Sequence, residues 1–155
     1  VPTLKLVKRI AADDKRSWFV GSDFTYEDVS GRELEDETHA LVRKESLGGR
    51  LTYVVESKPK AAADYSRRLS WIDSERWLPL KEEYFDARNE PLRTFTADKV
   101  ELIGTQWTIM ARSSKNLQSG HRTEVVYQEV GYDVGLKPDI FTERYLRDAP
   151  GQWVR

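Results

Sequence analysis

The chain has 155 residues, 33% of them charged and 39% hydrophobic, with 25 basic against 26 acidic side chains and no cysteine. Such a length supports one core and excludes a second domain of ordinary size, while the balanced and interleaved charges exclude the sustained basic field of a nucleic-acid binder. Absence of cysteine excludes disulfides, thiol catalysis and zinc–thiolate sites, and no run approaches the roughly 18–20 apolar residues of a helical membrane span.

Period-two alternation dominates the chain. Leu4, Leu6 and Ile10 share one face of a first expected strand, Leu4–Ile10. The stretch Ser22–Val29 offers Ser22 or Asp23 as a helix N-cap and places acidic residues in the first turns, which suits the positive end of a short helix. Thr38–Leu47 also fits a helical stripe through Leu34, Thr38, Leu41 and Val42, but Gly48-Gly49 followed by the alternating Leu51, Tyr53 and Val55 favours a hairpin of two strands. A second hairpin is expected from Tyr65–Asp73 and Trp77–Asp86, joined through Ser74-Glu75-Arg76, with Pro79 confined to an edge, a bulge or an outward-facing N–H position.

Arg88-Asn89-Glu90 reads as a turn, Pro91–Ile103 as a long strand ended by Gly104, and Gln106–Ser113 as the next, with Trp107, Ile109 and Ala111 on one face. After a turn over Asn116–Gly120, Arg122–Val134 forms the last long strand. Pro138–Leu146 opens with a proline of fixed φ and sets Phe141 and Tyr145 one helical turn apart, which predicts a short helix. The fold class is therefore mainly β, a curved antiparallel meander of six or seven strands forming an incomplete, half-open barrel with one or two short capping helices.

Catalytic signals are weak. His39 and His121 stand at no metal-binding spacing, so neither a metal nor a cofactor is expected, and both read as sheet or turn-edge residues. Gly21-Ser22-Asp23 and Ser119-Gly120-His121 lack the glycine pattern of a nucleophile elbow. The carboxylate groups Glu33–Glu37 and Glu82-Glu83 read as solvated loop or outer-strand charges, and Gly48-Gly49-Arg50 as a turn without the Lys-Ser/Thr of a phosphate cradle. What remains is an apolar load on the strand faces: Leu69, Trp71, Leu80, Phe95, Trp107, Ile109, Val125 and Tyr127, with Trp77 nearby. These residues make either a core face packed under a helix or the wall of an apolar ligand pocket.

Specific residues also carry a family resemblance. Phe19-Val20-Gly21-Ser22-Asp23-Phe24-Thr25-Tyr26-Glu27-Asp28, Tyr53-Val54-Val55-Glu56, Ser70-Trp71-Ile72-Asp73 with Trp77-Leu78-Pro79-Leu80-Lys81, Gly120-His121-Arg122-Thr123 and Phe141–Leu146 resemble, in order and spacing, the outer membrane lipoprotein-sorting proteins of the LolA/LolB superfamily. The resemblance implies a single LolA-like domain over 1–155, an incomplete β-barrel whose apolar concave interior takes acyl chains, no catalytic residue, and a periplasmic location after secretion. It further implies that Gly21 serves a turn, that Phe24 and Tyr26 pack a capping helix, and that Glu27 and Asp28 are capping or pairing charges.

Family members carry a leader, further strands and a helix ahead of the segment that begins at Val1, so the resemblance implies a C-terminal portion of the domain. An open edge at Leu4–Ile10 is then expected to recruit a partner, including a second copy. The leading expectation is a carrier or holdase for lipid or lipoprotein acyl chains, bound by Leu69, Trp71, Leu80, Phe95, Trp107, Ile109, Val125 and Tyr127 and accessory to a resistance-nodulation-division type exporter. The alternative is a non-enzymatic interaction module of the cell envelope whose interior is filled by its own side chains.

Overall fold

The computed structural model describes residues 17–61, 63–147 and 151; the strand expected over Leu4–Ile10 lies outside the described residues. The described residues fall into two compact units, 17–130 and 131 onward.

The larger unit is built on seven strands: β1 Glu37–Leu47, β2 Arg50–Pro59, β3 Arg67–Asp73, β4 Pro79–Phe85, β5 Pro91–Ile103, β6 Gln106–Asn116 and β7 Arg122–Val126. Each pairs antiparallel with its sequence neighbours in the order β1 to β7, so the sheet is a meander that does not close, the architecture of an incomplete barrel. Four ladders carry register shifts, at Leu41/Arg43, Trp71/Ile72, Tyr84/Phe85 and around Lys99, and bulges of this kind bend and twist a long sheet. Pro79 sits at one of them: Trp71 pairs with Lys81 and Ile72 with Pro79, which leaves Leu80 as the extra residue and spares the ladder the missing N–H.

Turn chemistry fixes the hairpins. Leu47 pairs with Arg50 across the two-residue loop Gly48-Gly49, whose φ values of 57° and 79° are the positive pair that a tight hairpin matching the strand twist demands. Asn89 adopts φ 62° in the β4–β5 turn, where Asp86 Oδ1 accepts the backbone N–H groups of Arg88 and Glu90.

The register sorts the side chains onto two faces. Val55, Ser70, Glu82, Phe95, Ser114 and Thr123 form one row across β2 to β7. Ser57, Arg68, Tyr84, Arg93 and Asn116 form the adjacent row on the same face. The opposite face carries Val54, Trp71, Lys81, Thr96, Ser113 and Glu124.

The segment before β1 covers the first of these faces. It holds a single turn, Phe19–Gly21, then α1, Tyr26–Ser30, and a second turn, Leu34–Asp36. The α1 cap is Thr25 and not Ser22 or Asp23: Thr25 Oγ1 accepts from Asp28 N at 3.2 Å and Asp28 Oδ2 accepts from Thr25 N at 2.8 Å, a reciprocal capping box. Ser22 is engaged instead with Phe19 O at 2.6 Å, and Asp23 is pulled to the sheet, where it accepts from Thr123 Oγ1 at 2.8 Å and meets His121 Nδ1 at 2.6 Å.

Two expected elements are shorter than the alternation suggests. β7 ends at Val126; Tyr127 N still reaches Met110 O at 2.9 Å, and within the span expected as strand Asp133 adopts φ 55°, outside extended backbone. In the smaller unit, the expected C-terminal helix is a 3-10 turn, Pro138–Phe141, followed by α2, Glu143–Arg147. Extended Thr142 separates them, its hydroxyl donating to Asp139 O at 2.8 Å.

The hairpin geometry has a measurable consequence. Gly49→Val forces a β-branched side chain into a left-handed conformation and is expected to destabilise the protein by about 1–2 kcal/mol, read as a lower urea midpoint at an unchanged slope.

Candidate functional site

The space between α1 and the sheet is a cavity of about 320 Å³. Phe24, Phe95 and Ile109 supply apolar wall, and Leu34 and Pro79 extend it. Most of the remaining lining is ionic: Glu27, Asp28, Glu37 and Glu82 face Arg32, Arg68, Arg93 and Arg112.

Asp28 is the centre of this arrangement. Its carboxylate accepts from Arg93 Nη1 at 2.6 Å and Nη2 at 3.3 Å, from Arg32 Nη2 at 2.5 Å, and from Thr25 N in the capping box. One side chain therefore caps α1 and fastens it to β5. Arg93 is only 1% exposed and lies with its guanidinium 3.9 Å above the Tyr84 ring. Arg32 also donates to Glu27 at 2.9 Å.

A second cluster surrounds Arg68, which donates to Glu37 at 2.6 Å and to Glu82 at 3.3 Å. Glu37 also accepts from Tyr65 Oη at 2.5 Å, and Glu82 from Tyr84 Oη at 2.7 Å and Ser70 Oγ at 3.0 Å. Each carboxylate thus has several donors, the condition under which buried charge is tolerated. His39, at the β1 side, places Nδ1 2.9 Å from Ser57 Oγ and Nε2 3.1 Å from Leu34 O.

Glu37 and Glu82 correct the expectation that both carboxylate runs are solvated. Glu37 is 5% exposed, and Glu82 shares its row with Phe95, facing inward. A run of acidic residues conceals which member points to the interior, because in a strand adjacent residues face opposite ways. The inward arginines were legible only as parity: Arg93 alternates with Phe95 in β5, and Arg112 alternates with Ser114 in β6.

Of the eight apolar residues singled out from the sequence, the structure brings Phe95 and Ile109 together at the cavity. Leu69 and Trp71 belong to the opposite face, opposite Glu83 and Lys81 in the β3–β4 ladder. Trp71 is buried there, its indole N–H donating to Glu45 and the Lys81 ammonium 4.5 Å above its ring. Leu80 occupies the bulge, and Trp107 lies under the Arg76 guanidinium at 3.8 Å. Val125 pairs with Arg112, and the Tyr127 ring lies 5.8 Å from the same guanidinium. Trp77, 68% exposed at φ 57°, stacks on Tyr53.

Among the described residues no group of three or more His, Asp or Glu side chains is placed to hold a metal, and no helix is long and apolar enough to cross a membrane.

A family model described as "uncharacterized protein" matches residues 1–148. The chain belongs to that family. Among solved structures, a domain from Vibrio parahaemolyticus classed as an outer membrane lipoprotein-sorting protein domain matches at 30% identity and a TM-score of 0.89, over 95% of this chain and 63% of that one. A DUF1329 family protein from Desulfovibrio piger matches at 27% identity and 0.82, over 91% and 60%. A LolA superfamily protein from Nitrosomonas europaea shares the fold, with a TM-score of 0.61 at 19% identity over 84% and 60%. The chain thus spans less than two thirds of the solved proteins it resembles, and it has the LolA-like fold. No curated protein matches it.

The ionic site sets a pH dependence with two opposing contributions. Burial pushes the Asp28 carboxyl up, but Arg93 and Arg32 outweigh it and hold the group well below the usual carboxylate range. Its folded pKa lies below the unfolded value of about 3.9, so its stabilisation is present above about pH 4 and is lost as pH falls. Asp64 has the reverse sign: burial raises its carboxyl and Oδ2 has no hydrogen-bond partner among the described residues, so ionisation of Asp64 costs stability at neutral pH. Asp28→Asn should lower the urea midpoint at pH 7 and flatten its fall below pH 4, whereas Asp64→Asn should raise the midpoint at pH 7.

Proposed function

We propose that this LolA-like chain is part of a non-enzymatic periplasmic carrier that shelters an acyl chain between α1 and the open sheet. The observation that carries the reading is the cavity itself: a volume of about 320 Å³ with Phe24, Phe95 and Ile109 on its wall, in a fold matching a domain classed under lipoprotein sorting at a TM-score of 0.89. That volume stands at the lower end of the roughly 300–1,000 Å³ of ligand pockets. Burying apolar surface there at about 25 cal/mol per Å² gives the exchangeable affinity a carrier requires. Of the residues singled out from the sequence, Phe95 and Ile109 contact the chain, with Val125 and Tyr127 beside Arg112 at its margin.

The alternative is an envelope interaction module with an interior filled by its own groups, docking an exporter or a second copy through β1. The specific observation favouring it is the ionic network around Asp28 and Arg68, which occupies much of the covered face. Among the described residues β1 is an edge strand with Leu41 60% and Val42 51% exposed, but Arg43, Lys44 and Glu45 follow them, the charges that guard edges against pairing.

Matched substitutions on the two faces decide between the readings. With cis-parinaric acid as fluorescent acyl probe, Ile109→Gln should weaken binding tenfold or more, while Leu69→Gln on the opposite face should stay within about twofold. Absence of probe binding to the unsubstituted protein would favour the interaction module.

A further inference from the structure

We propose, resting on the carrier reading, that the cavity selects a single-chain amphiphile with an anionic head and that Arg112 is the residue that receives the head. Three of the four arginines lining the cavity are committed to carboxylates: Arg32 to Glu27 and Asp28, Arg68 to Glu37 and Glu82, and Arg93 to Asp28. Arg112 has no carboxylate partner among the described residues. Its Nε is buried without a hydrogen-bond partner, as are those of Arg68 and Arg93, but where those two also hold carboxylates its guanidinium faces the rings of Phe24 at 5.0 Å and Tyr127 at 5.8 Å.

Position separates Arg112 from the paired charges. In the β5–β6 ladder Arg93 pairs with Asn116, Phe95 with Ser114 and Ala97 with Arg112, so Arg112 lies two inward positions along β6 from the Arg93 rung, with Phe95 and Ser114 between. The free cation therefore sits at the end of the cavity that Phe24, Phe95 and Ile109 make apolar. Of the five lining acids, Glu27, Asp28, Glu37 and Glu82 are each held by other arginines, and the fifth, Glu33, is exposed to solvent and forms no ion pair with Arg112.

A partly buried guanidinium lacking a counter-charge is costly, and an entering carboxylate or phosphate head would restore the charge-assisted, bidentate bonds that its planar fork offers. The adjoining volume limits the tail. At roughly 30 Å³ for each water-sized group, about 320 Å³ holds on the order of ten methylenes, one short chain and not the several chains of a lipoprotein.

Laurate, dodecanol, dodecyltrimethylammonium and acetate, each titrated calorimetrically below micelle-forming concentrations, test the assignment. Laurate should bind at least tenfold more tightly than dodecanol, and dodecyltrimethylammonium more weakly than either. Arg112→Gln should erase the preference for laurate while leaving dodecanol affinity within twofold, and Arg112→Lys should retain part of it. Equal binding of laurate and dodecanol by the unsubstituted protein overturns the assignment to Arg112 and leaves the carrier reading standing. Acetate binding as tightly as laurate overturns it by removing the tail. Failure of all four probes to bind overturns both readings. The comparison among probes uses the unsubstituted protein, so it decides the matter even where Arg112→Gln fails to fold.

Discussion

The structure depends on how an unclosed sheet covers its inner face with little helix. α1 has five residues, too short to hold its shape in water or to bury much apolar area. What fastens it is one carboxylate: Asp28 closes the capping box with Thr25 and receives Arg93 from β5 and Arg32 from the segment that follows the helix. The local fold of the helix and its attachment to the sheet are therefore one event. A buried ion pair is poor evidence for net stability, since desolvation offsets much of its attraction. Its contribution is positional, because a guanidinium 1% exposed accepts few other partners and so selects one placement of α1.

The same composition is used differently on the two faces of the sheet. On the face carrying Trp71, two ion pairs join neighbouring strands, Arg50 with Asp73 and Arg67 with Glu56, and others run along single strands between residues two apart, as in Arg43 with Glu45, Lys81 with Glu83 and Arg122 with Glu124. Pairs within one strand need no tertiary structure beyond it and contribute little each. On the covered face the pairs join separate elements: Arg68 of β3 binds Glu37 of β1 and Glu82 of β4, and Arg93 of β5 binds Asp28 of α1. These bonds cross the sheet and its cover. A third of the chain being charged thus describes a solvated exterior and a polar interior at once.

This double use marks where the sequence was readable. Strand existence followed from alternation and turn residues: Pro91–Ile103 is observed with the bounds expected, and Gly48-Gly49 makes the hairpin it suggested. Face assignment was harder. Apolar alternation identifies an inner face only when the other is polar, and here Trp71 and Leu69 occupy a face lined with lysines and glutamates, while Phe95 shares its face with Arg93 and Glu82. The helix cap was misplaced because Ser22, Asp23 and Thr25 are all competent caps and only the tertiary bonds of Asp23 to Thr123 and His121 remove it from competition. β7 was overextended because Val and Tyr continue the pattern past Val126, whereas pairing stops at the Tyr127 N bond to Met110 O even though β6 runs on to Gln106.

Electrostatic commitment also sorts the cavity into a structural half and a receptive half. Where every acid has its arginine, as around Asp28 and Arg68, an entering anion meets charges already neutralised, with only the buried Nε groups of Arg68 and Arg93 left without a partner. Where a cation is left beside aromatic and aliphatic wall, entry adds a bond without removing one. Arg112, with Phe24 over one side and Phe95 one inward position away, is the part of the covered face in that condition. On the proposed reading, a fold shared with a domain classed under lipoprotein sorting keeps the open sheet and its cover while the interior takes a smaller, charged-headed cargo, because the restriction resides in which inward positions are ionised and which of those are paired.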